Sequence, residues 1–182
     1  MINIPKIKRP KKDIVEKIKN LGSATVSGTL YGMGISNPFI MGPTTKTPGK
    51  SVAGPAITLQ FLPKREDIYN EDEYSDPELQ LHRHALYQTE PGDIVVVDAM
   101  GDMTSGVFGE MMLTFFQGRG GAGVVIDGCI RDYVHAQDLE IGMWLKGVTP
   151  NFHTQTNKYP HAVNVPISCG GTLVMPGDII VA

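Results

Sequence analysis

At 182 residues and 19.8 kDa, the chain can bury one hydrophobic core but is too short to divide into several. With 41% hydrophobic and 19% charged residues it is neither disordered nor fibrous, and a formal net charge of −3 leaves no broad cationic surface for the phosphate backbone of a nucleic acid. Only Cys129 and Cys169 are present, so a disulfide scaffold is excluded and a reducing, cytoplasmic setting is expected. No apolar run reaches the roughly 18 residues of a membrane span, and none near the start has the length of a signal peptide.

The 21 glycines and 13 prolines predict frequent turns and few long helices. Residues 1–12 hold five Lys or Arg and read as a solvated basic tail. A packing helix is expected over residues 13–21, where Ile14, Ile18 and Leu21 share a face, Asp13 caps the start and Gly22 the end. A second short helix over 23–30 leads into a loop rich in Gly, Pro and Thr over 31–51. Residues 53–62 read as a strand through Ile57, Thr58, Leu59 and Phe61, closed by Pro63. The stretch 66–76 is acidic, with Glu71, Asp72 and Glu73 consecutive; like charges repel unless a cation joins them, so it reads as a solvated loop. Pro77 opens a predicted helix over 77–88 with Leu79, His82 and Leu86 on one side. His82 and His84, two positions apart, face different ways and form no metal pair.

Pro91, Gly92 and Asp93 make a turn that feeds the apolar run 94–97, a strand buried on both faces. The pattern returns in Pro176, Gly177 and Asp178 before 179–181, which suggests two similar turn-plus-strand units. Between them a helix (110–117), a strand (123–127), a short helix (132–138) and a strand (143–148) are expected. This alternation predicts an α/β domain with a mixed or mostly parallel central sheet, whose sites gather at strand C-termini and helix N-termini.

The chemistry concentrates in residues 98–132, DAMGDMTSGVFGEMMLTFFQGRGGAGVVIDGCIRD. Glycines 101, 106 and 109 precede the helix beginning at Glu110. The N–H groups of its first turn, Met111 and Met112 among them, can face an anion, and Gly109 lets a ligand approach the backbone closely. Arg131 and Asp132 follow the strand: a guanidinium can clamp a carboxylate, and a carboxylate can hold a hard divalent cation. Together they suit a 2-oxo acid, whose carboxylate needs Arg and amides and whose keto oxygen needs an electrophile. Cys129 reads as a small buried residue beneath the site, because no neighbour in sequence lowers its pKa. Lys146 reads as a solvated strand-end residue.

The spacing of Glu110 from Arg131-Asp132, with the runs GPAITL, PGDIVVVD, GAGVVIDGCIRD and GTLVMPGDIIV, resembles the RraA-like family from about residue 23 to 182. That family includes class II 4-hydroxy-4-methyl-2-oxoglutarate/4-carboxy-4-hydroxy-2-oxoadipate aldolases and the ribonuclease regulator RraA. The resemblance implies a single RraA-like swivelling β/β/α domain over 1–182, with a central mixed sheet and flanking short helices. It implies Mg²⁺ or Mn²⁺ held at Asp132, Arg131 on the substrate, and amides of Met111 and Met112 on its carboxylate. It also implies a water oriented by Glu110, where the family more often carries Asp. The expected activity is a metal-dependent lyase that releases pyruvate and also decarboxylates oxaloacetate. The alternative is a protein-binding regulator of ribonuclease activity, but RraA lacks the metal-binding aspartate that is present here as Asp132. The family usually continues past the last PGD strand, where an acidic residue of a neighbouring subunit completes the aldolase site; the present sequence ends at Ala182. The helix from Glu110 carries Met111, Met112, Phe115 and Phe116 on nearly every face, which favours a homo-oligomer, a trimer or hexamer by resemblance.

Overall fold

The computed structural model describes residues 4–69 and 75–182. Helices α1 (Lys12–Lys19) and α2 (Ser23–Gly32) come first, then a short strand β1 (Thr44–Thr45) and the long strand β2 (Ala53–Pro63). A 3₁₀ turn over Pro77–Leu79 leads into α3 (Leu81–Tyr87), followed by β3 (Ile94–Asp98), α4 (Glu110–Gly118), β4 (Gly123–Ile130), α5 (Tyr133–Ala136) and β5 (Gly142–Val148). Beyond a 3₁₀ turn at His153–Gln155 come β6 (Lys158–Val163), β7 (Ile167–Cys169), β8 (Thr172–Val174) and β9 (Ile179–Val181).

The main sheet runs in the order β1-β5-β4-β3-β2-β6, with β9 on the first half of β2. Strands β2, β3, β4 and β5 are mutually parallel, while β1, β6 and β9 join antiparallel, so the sheet is mixed with a parallel centre. The apolar run of β3 has the composition its position demands, because it is covered on both faces. One face, with Leu59, Val97, Ile126 and Leu145, packs on Leu86, Leu113, Phe116 and Ala136 of the helices. The other, with Ala56, Val96 and Val125, is closed by Ile167, Cys169 and Val174 of the β7–β8 hairpin. That hairpin turns on Gly170 and Gly171, both at positive φ. A Cβ on Gly170 would collide with the Met41 carbonyl.

The two PGD turns flank the same strand. Ala56 N donates to the Asp178 carbonyl, and the backbone of Gly54 passes so close to the Gly92 carbonyl that no Cβ fits. Their strands differ, since β3 is central and parallel whereas β9 is an antiparallel edge.

Several expectations change. The basic tail is docked over its described part: Arg9 donates from Nε and Nη2 to the fully buried Asp93 carboxylate, at 2.7 Å for the shortest contact, and Ile4 and Ile7 pack on the core. A buried carboxylate demands a partner, and the tail supplies it. Helix α1 is not a core element, since neither α1 nor α2 has a buried residue and Ile14 and Leu21 remain exposed. The helix over 77–88 divides at Gln80, whose extended backbone separates the 3₁₀ turn from α3 and leaves Leu79 exposed while His82 and Leu86 are buried. Asp132 lies outside its predicted helix, in the left-handed region at φ 57°. Strands β6 to β8 were not expected. They are short and interrupted by proline and paired glycines, so no alternation announces them. Glu71, Asp72 and Glu73 lie outside the described residues.

Candidate functional site

The C-terminal end of β4 and the N-terminal end of α4 meet. Between β3 and α4 the chain runs beside β4: Gly106 bridges to Cys129 and Phe152, Val107 N donates to the Cys129 carbonyl at 3.0 Å, and Arg131 N donates to the Phe108 carbonyl at 2.9 Å. This extra length of pairing carries Gly109 to Arg131 and Asp132, which explains how residues more than twenty positions apart come together. Both ends of the run pass close to their neighbours, backbone at Gly106 and side-chain ends at Gly109. A Cβ on Gly106 would sit 2.8 Å from the Asn151 carbonyl oxygen, and one on Gly109 would sit 2.8 Å from Asp132 Oδ2 and 2.9 Å from Arg131 Nε.

Arg131 and Asp132 are neighbours without a tight bond. Nε and Oδ2 stand 3.7 Å apart, with side chains 39% and 43% exposed. The Asp132 backbone carbonyl accepts from His135 N and Ala136 N and so starts α5, while its carboxylate makes no cap bond. Aspartate tolerates the left-handed backbone better than most residues, and the turn aims its side chain at Gly109. The Arg131 guanidinium lies 6.0 Å from the Phe152 ring centroid, within cation–π range.

A cleft of about 70 Å³ opens here, lined by Gln80, His82, Arg83, Gly106, Val107, Gly109, Met111, Met112, Arg131, Phe152 and His153. It is far below the ~300–1,000 Å³ of pockets for drug-sized ligands, a size for a small metabolite. Of the residues expected at the site, Gly109, Met111, Met112 and Arg131 line it, while Glu110 and Asp132 lie beside it. Met112 N already donates to the Gly109 carbonyl at 3.1 Å, so among the described residues the amides left open in the first turn are those of Glu110 and Met111. The Glu110 carboxylate accepts from Thr114 Oγ1 at 2.7 Å, along the helix.

The far wall was not anticipated. His82 is 3% exposed, and its ring meets that of His153 edge-on at 4.6 Å between centroids. Burial, then the neighbouring His153, Arg83 and His84, push the His82 pKa well down, so its imidazole is neutral. His84 points away and hydrogen-bonds the Glu78 carbonyl, as the two-residue spacing requires. His82 and Arg83 lie in the first turn of α3, which starts just after the extended Gln80.

Cys129 is buried, and burial raises its thiol pKa, which makes it a packing residue. Lys146 is not simply solvated: Nζ stands 2.7 Å from Oδ1 of Asp127, whose side chain is 8% exposed. Asp127 pairs in register with Asp98 of β3, and burial raises the Asp98 pKa. Two buried carboxylates side by side need a cation, and Lys146 provides it. A larger hollow of about 560 Å³ under α2, lined by residues such as Leu30, Phe39, Trp144 and Val181, offers no ionisable side chain. The ionisable side chains line the smaller cleft instead, among them His82, Arg83, Arg131 and His153. Among the described residues no helix is long and apolar enough to cross a membrane, and no three His, Cys, Asp or Glu converge as a metal cage.

Comparison with known proteins gives the chain relatives of similar sequence and fold. The chain is 40% identical over 97 residues to a Halalkalibacterium halodurans protein provisionally named 4-hydroxy-4-methyl-2-oxoglutarate aldolase, and 31% identical over 102 residues to an Arabidopsis thaliana protein of the same provisional name. The matches cover 53% and 56% of this chain and span 45% and 60% of those relatives' length. Among solved structures, Streptomyces coelicolor RraAS2, described as an unusual member of the RNase ES inhibitor RraA protein family, superposes with a TM-score of 0.87 at 37% identity. That superposition covers 96% of this chain and 82% of that one. The sequence pattern of the RraA-like family, aldolase/RraA, matches residues 23–182, and the chain belongs to that family.

Proposed function

We propose that the protein is a divalent-metal-dependent carbon–carbon lyase that cleaves 4-hydroxy-4-methyl-2-oxoglutarate-type 2-oxo acids to pyruvate and also decarboxylates oxaloacetate. The observation that carries this reading is the convergence of Arg131 and Asp132 on Gly109 at the opening turn of α4.

The donor set fits a hydrated hard cation. Asp132 presents a half-exposed carboxylate with no hydrogen bond among the described residues, and Mg²⁺ or Mn²⁺ is suited to one carboxylate, water and substrate oxygens. Once bound at Asp132, the cation would supply positive charge for the keto oxygen of a 2-oxo acid. Arg131 holds the substrate carboxylate, assisted by the open amides of Glu110 and Met111. In retro-aldol cleavage the C3–C4 bond breaks, the 4-hydroxyl proton leaves and C3 accepts a proton. Glu110 moves these protons through a water once its carboxylate turns from Thr114. Decarboxylation of oxaloacetate leaves the same three-carbon fragment, so one site serves both.

Met111 is 68% and Phe115 43% exposed on α4, an apolar face beside the cleft that supports assembly as a homotrimer or homohexamer. Light scattering that finds a monomer would remove that part of the reading.

The test is to supply oxaloacetate or 4-hydroxy-4-methyl-2-oxoglutarate with Mg²⁺ and follow pyruvate, with and without chelator. Pyruvate that depends on metal supports the lyase; no pyruvate from either substrate sinks it. The likeness to RraAS2 favours a second reading, a non-catalytic regulator of ribonuclease activity, which requires inhibition of an RNase E-type enzyme without metal dependence.

A further inference from the structure

We propose that Arg83 is the specificity residue of the cleft, taking the distal carboxylate of a dicarboxylic 2-oxo acid, a placement that rests on the lyase reading for the other end of the substrate at Arg131. The two guanidinium groups come from different elements, α3 and the end of β4, yet line one cleft. Arg83 Nε donates to Gln80 Oε1 at 2.6 Å, and Gln80 is only 4% exposed, so the stem of the fork is anchored by a buried amide. Among the described residues no carboxylate pairs with Arg83, in contrast to Arg9, Arg65 and Arg131. Its terminal N–H groups thus remain available in the planar arrangement that matches a carboxylate.

A second, independent feature points to the same ligand. His82 lines the cleft and is buried, yet its Nδ1 finds no hydrogen-bond partner among the described residues. A buried polar atom left unpaired costs about 1–3 kcal/mol. An oxygen of a ligand held by Arg83 would accept from Nδ1 in the tautomer that protonates it. Two cations on one small cleft repel each other, and a single dianion relieves the repulsion at both ends. A monocarboxylic acid would leave Arg83 and His82 unsatisfied, and polar sites reject such analogues strongly.

Calorimetric titration of the full chain with Mg²⁺ tests this, using 2-oxoglutarate, 2-oxopentanoate of equal length without the distal carboxylate, and oxalate. We expect 2-oxoglutarate to bind at least tenfold more tightly than 2-oxopentanoate. That ratio should fall towards one in Arg83→Met and Arg83→Gln and be partly kept in Arg83→Lys. Equal binding of the two acids, or a ratio that survives both neutral variants, overturns the assignment of Arg83. Absence of oxalate binding to the unaltered protein removes the lyase reading and this proposal with it. Oxalate binding with a ratio near one removes only the role of Arg83. Should Arg83→Met fail to fold, Arg83→Gln and Arg83→Lys still decide.

Discussion

Two ion pairs of opposite character lie only a few residues apart, one reaching from β4 to β5 and the other just past the end of β4. Asp127 and Lys146 are in contact at 2.7 Å, with the carboxylate buried. Arg131 and Asp132 stand 3.7 Å apart, both more than a third exposed. The first pair neutralises a charge that the sheet has enclosed. The second is looser: among the described residues neither side chain makes a hydrogen bond, which leaves both able to take a ligand. Direct contact marks a structural pair here; restrained separation beside a glycine marks a candidate site.

The sharpest way to break this contrast is Asp132→Asn. On the lyase reading, kcat/KM should fall about a hundred- to a thousandfold, while the thermal midpoint moves by no more than about 2 °C, because the side chain makes no cap bond. A large loss of stability with full activity would reverse the roles of the two pairs.

Next in size is Lys146→Met, which strands the buried Asp127 carboxylate. Removing one partner of a buried pair costs about 3–5 kcal/mol, and the 30% exposure of Lys146 reduces the expectation to about 2 kcal/mol. Urea denaturation measures it, and unchanged stability would show the contact to be incidental. The gentler change Gly109→Ala introduces a methyl against the ends of Arg131 and Asp132, which can swing aside without unfolding. Activity should fall about ten- to a hundredfold with stability nearly unchanged, since roughly 1 Å of misplacement can cost up to about a hundredfold.

The smallest effect concerns pH. His82 has its folded pKa pushed below the ordinary value, chiefly by burial, so the unfolded chain binds a proton that the folded chain refuses. Stability from this group is complete above pH about 6.5 and declines as pH falls below it, by up to about 1.4 kcal/mol per pH unit. Denaturation midpoints between pH 7 and 5 should show this slope, and His82→Leu should flatten it. An unchanged slope in the variant would mean that other groups govern acid sensitivity.

Much of the frame was legible in the chain. The run Ile94 to Val97 reads as a strand buried on both faces because only a central parallel strand is apolar at every position. Arg131-Asp132 stood out because two charges follow an apolar strand and turn. The second wall of the cleft did not, because His82 and Arg83 sit within a stretch that reads as one helix and is broken at Gln80 by a backbone choice with no sequence signal. Lys146 was misjudged for a related reason: its partner lies on another strand, and register is a property of the sheet.

What the sequence alone determined is local: the strands with buried periodicity, the turns at PGD, the glycines before α4, and the residue types for binding a carboxylate and a hard cation. Those follow from φ/ψ restriction, side-chain polarity and short-range spacing. Tertiary structure decided which charges meet and which stay apart, because the pairing of residues 106–109 along β4 and the register of β4 with β5 set those distances through long-range contacts. One pair was closed into the fold by that arrangement, and the other was held open at the cleft.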